Sequence, residues 1–243
     1  MKWLRTATIV AAMSLLALSL FAADQKEKKS GNKVWDSGSF GIYMNGKRIG
    51  TEKFQIKQES AFSVATSEIK VEDGSTKADQ TAEMEITSKG ELRSYVWRAT
   101  SPLKEESSVE PKDQLLVEHV VPADQKKMDV PHVLPVSTVI LDDNFFSQRE
   151  LLVWRYLRTG CYFKPNEGLV CGPSHFGILV PHQHTAGEAV MDLVGRDKTT
   201  IKGQEQELNK FKLDTDGATL WLWVTDDYKV MKMAANNFEV IRD

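Results

Sequence analysis

Few of the 243 residues combine a reactive side chain with a recognisable spacing. Among the five histidines, His119, His132, His175, His182 and His184, the last two form a close pair in His182-Gln183-His184. On a strand, this i, i+2 spacing puts both imidazoles on one face, where they could share a metal or serve a nearby carboxylate in acid–base hydrolysis. The segment lacks the helical His-Glu-x-x-His pattern, and Phe176 to Thr185 reads as a strand running into a turn, so a metal-free surface pair is the competing reading. Gly172-Pro173-Ser174-His175 has no Gly-x-Ser-x-Gly elbow, and the chain contains neither a phosphate-cradling glycine loop nor a dinucleotide fingerprint. The carboxylate pairs Asp142-Asp143 and Asp226-Asp227 sit where a helix start or a turn wants them. No catalytic residue and no cofactor is expected on these grounds.

The two cysteines, Cys161 and Cys171, flank a segment containing Pro165-Asn166-Glu167-Gly168. Their spacing is not that of a Cys-x-x-Cys redox pair, and in an oxidising compartment such a pair is most simply an intrachain disulfide. Closing so short a loop contributes roughly 2–3 kcal/mol in the chain-entropy account.

The beginning of the sequence bears on the compartment. Met1 to Arg5 is basic, Thr6 to Phe21 is an apolar run too short for a typical span, and Ala22-Ala23 offers a small-residue cleavage point. The expected organisation is a signal peptide over 1–23, a flexible leader over 24–33 and one β-rich domain over 34–243, giving a periplasmic or secreted protein without a stable membrane span. Formal charge is −3, or −5 once Lys2 and Arg5 are removed, which argues against a nucleic-acid partner.

The domain itself alternates apolar and polar residues. Asn45-Gly46 between two such runs is a strong hairpin signal, because both positions tolerate positive φ. Further runs follow at 8–12-residue spacing with turn residues between them, and Leu220-Trp221-Leu222-Trp223-Val224 pairs in pattern with Val230-Met231-Lys232-Met233. One segment breaks the period: Phe145 to Leu157 follows the candidate caps Asp142-Asp143-Asn144, carries Arg155 and Arg158 near its end, and meets Gly160. The expected fold is mainly β, a single curved antiparallel sheet or open half-barrel with one main helix over 145–158 packed against it.

Two motifs, together with the strand rhythm between them, carry a family resemblance. Gly41-Ile42-Tyr43-Met44-Asn45-Gly46-Lys47-Arg48-Ile49-Gly50-Thr51-Glu52 is similar to the opening hairpin of an uncharacterised family of bacterial secreted β-proteins. Trp221-Leu222-Trp223-Val224-Thr225-Asp226-Asp227 with Val230-Met231-Lys232-Met233 resembles that family's closing tryptophan strand, acidic turn and strand. The resemblance implies an open, strongly curved sheet comparable to the half-barrel of periplasmic lipoprotein carriers, and it brings no catalytic residues.

Three functions follow as expectations. In the first, a non-enzymatic envelope protein binds a lipid or other apolar small molecule on the concave face, lined by Trp97, Trp154, Trp221 and Trp223; ordinary core packing is the alternative role for these rings. In the second, His182 and His184 serve a metal-dependent or acid–base hydrolase. The third is a structural or interaction protein of the envelope using exposed strand edges. Oligomeric state is not legible.

Overall fold

A computed structural model describes residues 33–243, except 75, 114, 124–125, 135–137 and 167. The signal peptide over 1–23 and all of the leader but Lys33 lie outside the described residues. Strand β1 (Lys33–Met44) turns into β2 (Lys47–Gln58) through Asn45 and Gly46, at φ of 51° and 77°, the double positive φ that the Asn-Gly pair predicts. Strands β3 (Phe62–Asp73), β4 (Thr76–Thr87), β5 (Leu92–Ser101), β6 (Glu105–Lys112), β7 (Leu115–Pro122) and β8 (Met128–His132) continue this antiparallel meander to one edge.

The other half runs back toward β1. After the short β9 (Val139–Ile140) come helix α1 (Ser147–Thr159) and a separate hairpin of β10 (Cys161–Lys164) and β11 (Gly168–Cys171). Strands β12 (Ser174–Val180), β13 (Thr185–Ile201), β14 (Gln204–Thr215), β15 (Ala218–Val224), β16 (Val230–Ala235) and β17 (Phe238–Arg242) then form a second meander, and β17 pairs with β1. The described residues thus make one 15-stranded sheet whose edges are β8 and β9. Laid flat, its edges would stand about 70 Å apart at the usual strand spacing. Only seven residue steps join His132 to Val139, a reach of about 25 Å. The sheet must therefore curl on itself, and it does so without closing: among the described residues no ladder joins β8 to β9.

Helix α1 fills the concavity. Leu152, Val153 and Tyr156 are buried against Phe40, Phe54, Tyr95, Phe211, Leu222 and Met233, which come from both meanders. Burial extends almost around the helix, in agreement with apolar residues spread beyond one narrow stripe. Its boundary differs from the expectation in a telling way. Asp142, Asp143 and Asn144 do not cap it; the first turn is instead capped by Glu52 of β2, whose Oε2 accepts from the Phe146 and Ser147 N–H groups at 2.7 and 3.2 Å.

Strand β13, 17 residues long, is bent along its length. A bulge between Leu193 and Gly195, with Gly195 at φ 134°, redirects it. Beyond the bulge the β13–β14 hairpin folds over the convex face, where Ile201 and Leu208 bury against Trp223, beside Trp221, Met231 and Ile241. The tip reaches far enough for the Lys202 charge to act on Asp243, just after β17.

Candidate functional site

Four polar clusters lie inside the curled sheet or at its seam, and each uses a carboxylate that water does not reach. Glu52 is fully buried; besides the two amides, its Oε1 accepts from Ser67 Oγ at 2.8 Å and Ser147 Oγ at 2.7 Å. Burial nevertheless raises its pKa, against the opposing pull of these four donors. Glu150, one turn along the helix, accepts from the Val230 N–H at 2.9 Å and from Arg242 at 3.2 Å, both on Oε2. Its Oε1 receives no donor. Burial and the facing Asp36 carboxylate push Glu150 up to about 9, so at neutral pH it holds its proton. Burial alone would raise Asp36 as well, but Glu150 and Arg242 hydrogen-bond its ionised form and hold it low, with Arg242 Nη2 at 2.7 and 2.6 Å from its two oxygens.

The remaining two clusters contain the histidine pair. His182 and His184 do not lie on a strand: Pro181 opens a 3-10 turn over Pro181–Gln183, and His184 follows at φ 53°. The i, i+2 rule for strands therefore fails, and the two rings go to different carboxylates. His182 Nδ1 pairs with Oδ1 of buried Asp142, whose Oδ2 accepts from the Tyr95 hydroxyl at 2.7 Å. His184 Nδ1 pairs with Glu118 Oε1 at 2.8 Å, while Oε2 meets His132 Nε2 at 3.0 Å. Ser107 also donates to Glu118, at 2.7 Å. Among the described residues, no group of three or more His, Cys, Asp and Glu side chains is arranged to hold a metal ion.

These contacts link the two ends of the sheet. The turn holding His182 and His184 follows β12, next to one edge of the sheet, whereas Glu118 and His132 belong to β7 and β8 at the other edge. Side chains thus bridge a seam that no backbone ladder crosses. Burial alone would lower the His182 pKa, but its hydrogen bond to Asp142 and the charges of Asp142 and Asp143 outweigh this and raise it. A histidine raised on folding adds stability that is complete below its unfolded value, near 6.5, and is lost as pH rises through the folded value. His182→Gln is expected to cost about 1–2 kcal/mol at pH 5.5, the scale of a hydrogen bond to a charged group, and measurably less at pH 8.5. Urea titrations at the two pH values check this; an equal cost at both would refute it.

The four tryptophans divide. Trp97 faces inward but is packed, with Nε1 3.3 Å from Gln80 Oε1 and its ring tilted onto His182. Trp221 and Trp223, expected to face inward, lie on the convex side, because alternation along β15 gives the concave positions to Leu222 and Val224. There Lys210 sits over both rings, and Asp197 accepts the Trp223 Nε1–H at 3.1 Å. Trp154 alone of the four borders open space.

That space is a cavity of about 510 Å³ where the C-terminal half of α1 meets the β4–β5 turn and the β15–β16 turn. Trp154, half-buried, donates its Nε1–H to the Tyr228 carbonyl at 2.7 Å, and Leu151 and Ile86 extend the apolar wall. Trp35, 48% exposed, and Tyr228 stand at the rim. Lys89, Arg155 and Arg158 also line the cavity, together with Lys229, which pairs with Asp227 at 3.6 Å and Asp36 at 3.7 Å. Arg155 and Arg158 are anchored on the carbonyls of Gly90 and Ser88, an attachment that leaves their charge unneutralised. A second cavity, of about 650 Å³, lies at the other end of α1 beside Phe146, Phe238 and the buried Arg149, whose Nη1 is spent on the carbonyls of Asp142 and Phe145.

Cys161 and Cys171 form the expected disulfide, across the first register pair of the β10–β11 hairpin. The sequence reading missed Trp35, Arg155 and Tyr228 as cavity residues. Their signal, aromatic and cationic side chains without a periodic place, is visible only once α1 and two turns converge.

No protein-family model matches the sequence, and no curated protein matches it. The fold is similar to the crystal structure of a β-barrel-like protein of domain of unknown function DUF1849 from Brucella abortus, with a TM-score of 0.52 over 85% of this chain and 94% of that one. Identity is 6%, so the likeness speaks for the fold alone.

Proposed function

We propose that this is a non-enzymatic, exported binding protein of the cell envelope, and that it takes an apolar molecule with an anionic end in the cavity beside Trp154. One observation carries the reading: half-buried Trp154 and buried Leu151 form an apolar wall facing a 510 Å³ opening lined by Lys89, Arg155 and Arg158, with Lys229 paired to Asp227 and Asp36. Burial of apolar surface supplies the affinity, and Arg155 and Arg158, with their positions fixed by carbonyls, supply orientation. The volume falls within the usual range for small-molecule sites. Side chains at the seam pair with one another, His182 with Asp142 and His184 with Glu118, which supports a role for them in holding the curled sheet together.

The test uses 1-anilinonaphthalene-8-sulfonate, an apolar anion that fluoresces on burial. The wild type is expected to bind it stoichiometrically, and Trp154→Ala to weaken binding about tenfold, or about 1.4 kcal/mol. Trp221→Ala, on the convex face, is expected to leave binding unchanged. Equal affinity of the wild type and Trp154→Ala would refute the site.

A further inference from the structure

We propose that the disulfide-closed β10–β11 hairpin is a docking finger for an anionic lipid surface. It stands apart from the main sheet as its own two-stranded unit, with four register pairs from Cys161↔Cys171 to Lys164↔Gly168. Its side chains are not those of an ordinary solvated loop. Tyr162 is 62% exposed, Phe163 76% and Leu169 39%. Phe163 and Leu169 are register partners and share one face of the ribbon, while Tyr162 projects from the other. Apolar groups therefore point outward on both sides, where an element packed on the domain would have buried one.

A two-stranded hairpin is marginal by itself in water. Here the disulfide at its base replaces packing, and Gly172 N–H to Gly160 O at 3.3 Å together with Tyr156 Oη to Gly172 O at 3.1 Å fixes the base to the helix end. The finger is thus held out from the domain in a defined place with its aromatics uncovered.

Charge and size choose the occupant. Arg158 lies three residues before Cys161, and with Lys89 and Arg155 it makes the end of α1 cationic on a chain whose net charge is −3. Basic groups close to an anionic bilayer contribute about 1 kcal/mol each, and aromatic side chains favour the headgroup level. A stable protein partner needs about 800 Å² on each side, more than three side chains on an 11-residue hairpin offer. A membrane accepts so small an element. This inference goes beyond the cavity reading and does not require it, although both features sit at the same end of α1.

The experiment is co-sedimentation of the folded protein with phosphatidylcholine vesicles, with and without about 30% phosphatidylglycerol. The wild type is expected to sediment with the anionic vesicles and far less with the neutral ones. Tyr162→Ser with Phe163→Ser is expected to lower the partition coefficient roughly tenfold without moving the thermal midpoint, since both positions are exposed. Trp154→Ala, which tests the cavity, is expected to sediment like the wild type, so the two proposals can fail separately. Absence of wild-type binding, or equal binding by the double variant, would overturn the finger; capture of a protein partner by a chain that ignores vesicles would do the same.

Discussion

Glu52→Ala is expected to lower stability by about 3–4 kcal/mol, because one truncation removes the shared acceptor of four donors inside the protein, of which only the Ser67 and Ser147 hydroxyls have each other to turn to. The Phe146 and Ser147 amides belong to the first turn of α1, where no intrahelical acceptor exists, and Glu52 is the side chain that reaches them. Its carboxyl oxygens also lie at the positive end of the helix dipole. The loss is therefore local in origin but global in reach, since α1 is the filling of the curled sheet. Glu52→Gln keeps an acceptor for the two amides and is expected to cost about half as much. Chemical denaturation of both variants, followed by tryptophan fluorescence, reads the difference. A loss under 1 kcal/mol for the alanine variant would mean that water takes over the role of the carboxylate.

The second large effect has the opposite sign. Glu150 titrates near 9 in the folded protein against 4.5 for an ordinary glutamate. A carboxyl whose folded pKa is raised binds more protons folded than unfolded, so stability falls as pH rises from 4.5 to about 9. At pH 7 the unfolded chain gains about 3 kcal/mol by releasing that proton. Glutamine has the shape of the protonated acid: its oxygen can accept from Val230 N–H and Arg242, and its NH2 can face Asp36. Glu150→Gln is accordingly expected to stabilise the protein at pH 7 by up to about 3 kcal/mol, or roughly 6–10 °C in Tm for a domain of this size, and to leave it unchanged near pH 4.5. Calorimetry across that range tests the sign directly. A variant less stable than the wild type at pH 8 would show that Glu150 is ionised in the fold.

Much of the architecture was legible because it is local. Asn45-Gly46 announces its own φ angles, and the alternations of β3, β4 and β5 need no knowledge of distant residues. Helix α1 declared itself by breaking the two-residue period, and Trp154 became a cavity residue simply by lying on that helix. The failures share a cause, dependence on partners far along the chain. Glu52 caps a helix turn 94 residues away, so the nearby Asp142 was credited with a task it does not perform. Alternation showed that Trp221 and Leu222 face opposite ways, but not which way is inside, since the β13–β14 flap gives the convex face a small core of its own. The strand running into a turn at the histidine pair was legible, but which carboxylate each ring meets was not, because Asp142 and Glu118 lie far away in the sequence.

The pairing of β1 with β17 has a consequence for where the entropy cost of assembly falls. Nearly every other ladder in the sheet joins neighbours in sequence and can form with little loop-closure entropy. The β1–β17 ladder, matching Phe40 with Arg242 and Met44 with Phe238, instead closes a loop of about two hundred residues. Its closure entropy is therefore larger than that of the hairpin ladders, which places the cost of joining the two meanders mainly in this one ladder. The same pairing brings Arg242 to Asp36 of β1 and to Glu150 of α1, so one side chain ties the helix to both strands of the joining ladder.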